Sequence, residues 1–93
     1  MTTRILDYRF TGHLTHPTTL ASWTVVIVPD SKAVLGTGRT TRVTGTIDGY
    51  PFAATLMPDG SGGHFLSLNA ALRKTVGKQV GEAVEVFLSE QVN

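Results

Sequence analysis

The pair Asp48-Gly49, set between RVTGTI (42–47) and YPFAATLM (50–57), constrains this chain more than any other feature. A two-residue hairpin loop of type I′ needs positive φ at both central positions, and Asp-Gly is among the pairs that accept it. With the turn at 48–49, Ile47 faces Tyr50, Gly45 faces Phe52 and Val43 faces Ala54. The spacing therefore predicts one apolar face, extended by Leu56. Arg42, Thr44, Thr46, Ala53 and Thr55 take the wetter face. A slip of one residue would exchange the two sets, so the register is specified. Phe52 is expected over Gly45, where the missing side chain leaves room for the ring.

Other strands follow from the same period of two. From Leu6 to Leu14 the chain alternates, with Leu6, Tyr8, Phe10, Gly12 and Leu14 on one side. His16-Pro17-Thr18-Thr19 breaks the pattern, because proline cannot donate to a ladder. SWTVVIV (22–28) is apolar on both faces and β-branched, the pattern of a central strand covered on both sides. Tyr8 and Tyr50 are both expected on inward faces. AVEVFLS (83–89) makes a last strand with Val84, Val86 and Leu88 inward and Phe87 on the other face.

The connections are more varied. SKAVLGTGRT (31–40) has two glycines and no clear period, and is expected to be irregular. Asn69 is a good N-cap, 70–74 are helix formers, and Gly77 stands where a C′ glycine belongs, which predicts a short helix over 69–76 pinned by Leu72 and Val76. PDGSGGH (58–64) is the one glycine-rich loop that invites a functional reading. A phosphate-cradling loop runs from a strand into a helix N-terminus and usually ends in lysine. This one runs into the strand 65–68 and has no lysine, so it is expected to be a hairpin connection whose glycines serve positive φ.

The expected architecture is mainly β: a small six-stranded barrel with one short helix, in a single domain spanning 1–93. At 93 residues without cysteine, the chain has no disulfide or thiolate to hold it and must rely on a core. No apolar run is long enough to span a bilayer or to act as a signal peptide, and a cytoplasmic protein is the simplest reading. The formal net charge is +1, little for a nucleic-acid binder. Residues 1–46 carry five basic and two acidic side chains, 47–93 three basic and five acidic.

The run from Arg42 to Leu88, with GTIDG–PF, GGH and ALRK–G as its most specific segments, resembles DUF1905, a family of small bacterial domains of unknown function. SWTVVIVP, LGTG and FTG look like that family's first half, so the resemblance covers about residues 6–89. It implies a double-split β-barrel, a fold shared with AbrB- and MazE-like DNA-binding domains. It supplies no catalytic residues to carry over.

Candidate functional residues are few. His13, His16 and His64 lack the spacing of a metal site, so no metal and no cofactor are expected. His64, after the glycines, is the histidine expected to line a surface cleft, beside Asp59 or Ser67. A His–Asp–Ser trio without geometry is not a triad. Trp23, expected in the core, and Arg42, able to hold a carboxylate or phosphate, complete the ligand-binding candidates. Arg39, Arg73, Lys74 and Lys78 are the nucleic-acid candidates. The favoured function is a non-catalytic binding or accessory module for a small molecule or protein, with monomer favoured over dimer and no membrane partner. The alternatives are an AbrB-like nucleic-acid-binding domain, then a small isomerase or cyclase using His64 as acid or base.

Overall fold

A computed structural model describes residues 3–16 and 23–92 of the chain. The elements in order are β1 (Thr3–His13), β2 (Thr24–Val28), α1 (Ser31–Leu35), β3 (Thr41–Ile47), β4 (Tyr50–Pro58), β5 (His64–Leu68), α2 (Ala70–Val76) and β6 (Ala83–Val92). The strands pair antiparallel in the order β1-β6-β3-β4-β5-β2. Ser22 and the stretch Pro17–Thr19 lie outside the described residues.

The Asp-Gly hairpin forms in the expected register, with Ile47 opposite Tyr50, Gly45 opposite Phe52 and Val43 opposite Ala54. Asp48 and Gly49 adopt φ of 50° and 85°, the positive values that a turn matched to strand twist demands. Val43, Ile47 and Leu56 are fully buried, joining Leu14, Val26, Val28, Leu66, Val84, Val86 and Leu88 in one apolar cluster. Tyr50 departs from expectation. It is 44% exposed, although Ile47 opposite it is fully buried.

Gly45 has a different purpose from the one its partner suggested. Opposite it, β6 carries one extra residue: Thr44 faces Glu90, yet Gly45 already faces Leu88. On the other side of β6, β1 carries an extra residue between Ile5 and Tyr8, where Asp7 takes φ 47°. The irregularity bends the backbone of Phe87 towards Gly45. A Cβ at position 45 would collide with the Phe87 carbonyl oxygen and lie 3.0 Å from its carbonyl carbon. Gly45 is thus required by a strand backbone, not by the Phe52 ring.

The sheet curls until its two end strands approach, giving a half-barrel. One bridge crosses the gap: Thr15 N–H donates to the Val25 carbonyl at 2.9 Å and Val25 N–H to the Thr15 carbonyl at 2.8 Å. Beside it the Tyr8 hydroxyl donates to the Pro29 carbonyl at 2.9 Å. Partial burial, and then the negative charge of Asp30, raises the Tyr8 pKa and keeps that donor protonated. The β2 segment, expected at the sheet centre, lies at its end. Val25, Val26 and Val28 are buried, but Ile27 is 48% exposed.

Two helices fill the connections. Helix α2 starts at Asn69, whose side chain accepts from Leu72 N–H at 2.8 Å, and ends at Gly77 in the left-handed region. Helix α1 contradicts the expectation of irregular structure over 31–40. It is only five residues long, and Asp30 at its head makes no side-chain cap bond. Its stability comes from Leu35, buried to 2% exposure in the core.

Candidate functional site

The 58–63 loop is a turn, built by Asp59. Its Oδ1 accepts from the Ser61 N–H at 2.8 Å, the Ser61 hydroxyl at 2.7 Å and the Gly63 N–H at 3.2 Å. The two bonds from Ser61 dominate and hold the carboxyl below its ordinary range; burial opposes them, and the Gly63 N–H adds a lesser lowering. Gly60 and Gly62 take positive φ, but Gly63 does not. At Gly63 the constraint is space: a Cβ would lie 3.1 Å from Asp59 Oδ2 and 3.5 Å from Ser31 Oγ.

His64 begins β5 and points into the protein. It is fully buried, which corrects its expected place on a surface cleft. Nε2 lies 2.7 Å from the Arg39 carbonyl oxygen and Nδ1 lies 2.7 Å from Ser31 Oγ. A carbonyl can only accept, so Nε2 carries the proton. In the neutral ring Nδ1 is then an acceptor, and the Ser31 hydroxyl donates to it. Neither Asp59 nor Ser67 is its partner.

Trp23 is 38% exposed rather than in the core, with its ring edge-on to Phe65 at a centroid distance of 6.3 Å. Arg42 is exposed on β3, between Thr55 of β4 and Val92 of β6. Arg42 borders a cleft of about 200 Å³ with Thr44, Ala53 and Thr55, to which neither His64 nor Trp23 contributes.

Three of the four basic candidates do meet. Arg73 and Lys74 of α2 and Lys78 after it line an open cleft of about 550 Å³, with His16 and Thr24 on the opposite wall. Thr24 pairs with Leu68, the residue from which the chain enters α2, and Arg73 Nη1 donates to Thr24 Oγ1 at 3.2 Å. His16 Nδ1 lies 2.7 Å from the Trp23 carbonyl, which fixes Nδ1 as a donor. Lys78 is already committed: its Nζ bonds the Ala83 carbonyl at 2.7 Å and pairs with Asp48 at 2.8 Å. Among the described residues Arg73 and Lys74 face no carboxylate, and none lines the cleft.

Arg39 lies elsewhere. It shares a cleft of about 410 Å³ with Arg4 and Thr41, so the expected basic set is split between two faces. The sequence reading did not include His16, Thr24 or Ser31 in a site. Thr24 and Ser31 sit 49 and 33 residues from their partners, and His16 is more than fifty residues from Arg73, so no local spacing marks them. Among the described residues no three His, Asp or Glu side chains converge as a metal site. No helix among them is long and apolar enough to cross a membrane.

No curated protein matches the chain. The family model of DUF1905, a domain of unknown function, matches residues 10–88, and the chain belongs to that family.

Proposed function

We propose that the protein is a binding module for a small anionic ligand, taken in the cleft beside α2. The supporting observation is the cation pair Arg73 and Lys74 lining an open cleft that no carboxylate enters, in a chain whose net charge is only +1. Such charges lose little by solvation at a surface, but a carboxylate or phosphate held between a planar guanidinium and an ammonium gains charge-assisted hydrogen bonds. Thr24 holds one side of the Arg73 fork, which lowers the entropy cost of presenting the other nitrogens. Val80 and Ala70 supply an apolar flank.

Calorimetric titration with phosphate, pyrophosphate, citrate and nucleoside monophosphates tests this. One-site binding is expected for at least one anion. Loss of a charge-assisted bond worth about 1.5–3 kcal/mol would weaken it roughly 10- to 100-fold in Arg73→Ala. No heat with any anion, or equal affinity in Arg73→Ala and Lys74→Ala, overturns the reading. Nucleic acid is distinguished by salt: neutralising three phosphates gives a log–log slope of about −2.7. A steeper slope on duplex DNA would favour the DNA-binding alternative.

A further inference from the structure

We infer that Ser31 is a nucleophile, activated by His64, and that it accepts a short acyl group from an activated ester. The site shares no residue with the α2 cleft, so it stands or falls independently of the binding reading.

Three observations carry it. First, the proton geometry is set by the fold. The Arg39 carbonyl fixes the Nε2–H tautomer, so the lone pair of Nδ1 faces the Ser31 hydroxyl at 2.7 Å. A serine is weakly nucleophilic until a neighbouring base takes its proton, and an oriented imidazole is the usual base. Here a carbonyl does the orienting that a carboxylate does in a catalytic triad. Second, both groups are withdrawn from solvent, with Ser31 at 1% and His64 at 0% exposure, so bulk water does not compete for that hydrogen bond. Third, Ser31 borders a cleft of about 540 Å³ whose facing wall is Gly62 and Gly63. A Cβ at Gly63 would come into contact with the Ser31 oxygen at 3.5 Å, so the glycine leaves the space beside that oxygen unfilled.

The step balances without an outside oxidant or reductant. Ser31 Oγ bonds the ester carbonyl carbon, and its proton passes to His64 Nδ1. The bond to the leaving alkoxide or phenolate breaks, and that oxygen takes the proton from His64. The products are an acyl-serine and a free alcohol. With Ser31 only 1% exposed, only a short acyl group can reach its oxygen.

The whole protein is treated with a small alkyl fluorophosphonate and, separately, with p-nitrophenyl acetate, then followed by intact-mass spectrometry and peptide mapping. One adduct on Ser31 is expected, absent in Ser31→Ala and formed about 10²- to 10⁴-fold more slowly in His64→Gln, the range for loss of a general base. No adduct, or one confined to Ser61, Ser67 or Ser89, overturns the inference and leaves the pair as a structural contact. Removing either partner strands a polar atom in the interior and threatens the fold, so a third variant retains both groups. In Ser31→Cys the imidazole should favour the thiolate, and iodoacetamide at pH 6 should react at least tenfold faster than with free cysteine. Any smaller ratio overturns the activation.

Discussion

Adding a single methyl group at Gly45 should be among the most damaging small changes available to this protein. The new Cβ would meet the Phe87 carbonyl oxygen and carbon and approach Leu88 Cα to 3.2 Å. All three neighbours are backbone, held by β6 between β1 and β3, so relief requires moving a central strand. Overpacking that forces backbone shifts costs about 1–3 kcal/mol, and a carbonyl this close places Gly45→Ala at the upper end, near 3 kcal/mol. For a chain of this size each kcal/mol lowers the melting temperature by about 4–8 °C, so the fall should be roughly 12–24 °C. Gly12 supplies the control. A Cβ there would lie 2.6 Å from Val26 Cγ1 but no closer than 3.8 Å to the backbone of β2, so relief needs a small tilt of one buried side chain and not movement of a strand. Gly12→Ala should therefore cost about 1 kcal/mol. Urea unfolding followed by circular dichroism, with calorimetry on both variants, measures the difference. If Gly45→Ala proves no more destabilising than Gly12→Ala, the close approach of β6 does not require glycine at position 45.

Three further outcomes are expected. Burial pushes the Asp48 carboxyl up, but bonds from Lys78 and the Glu85 N–H, with the Lys78 charge, outweigh it and leave its pKa lowered. A native pKa below the unfolded one stabilises above the unfolded value of about 3.9 and is lost as pH falls through the native value. Asp48→Asn, which tolerates the same positive φ, should thus lose up to about 1 kcal/mol at pH 7 and progressively less as the pH falls below the unfolded value, read from urea midpoints across pH; a pH-independent gap would be inconsistent. Asn69→Ala removes the α2 cap bond and should cost about 1 kcal/mol by the same assay, whereas an unchanged midpoint would mean that α2 is held by Leu72 and Val76 alone. Leu66→Ala, at a fully buried core position, should cost about 2–5 kcal/mol, and a cost below 1 would place Leu66 outside the packed interior.

The features legible in the sequence were those encoded within a few residues. Asp48-Gly49 fixed its own turn, alternation marked β1 and β6, and Asn69 with Gly77 bounded α2. What failed was long-range. Helix α1 has no side-chain cap and too few residues for a periodic signal, so Leu35 and its burial could not be foreseen. His64 was expected on a surface cleft and is buried instead, because its partners sit 33 and 25 residues away in the segment read as structureless. Arg73, Lys74 and Lys78 could be placed together because one helix and its exit carry them. His16 joins them only because the sheet curls. At Gly45 the pairing with Phe52 was right and the cause was wrong, since an extra residue in β6 leaves no mark on β3.

The place of β6 between β1 and β3 also governs when this chain can fold on the ribosome. Of the six strands, the sixth is the one that joins the first to the rest of the sheet, with Thr3 opposite Val92. Until residues 83–92 leave the exit tunnel, β1 has no ladder partner and β3 is bonded on one side only. The nascent chain can form the β3–β4 hairpin and its neighbours early, but β1 must wait for residues 83–92. Synthesis and folding are therefore coupled at the final strand, and a ribosome stalled before Ala83 holds an incomplete sheet with an unsatisfied edge.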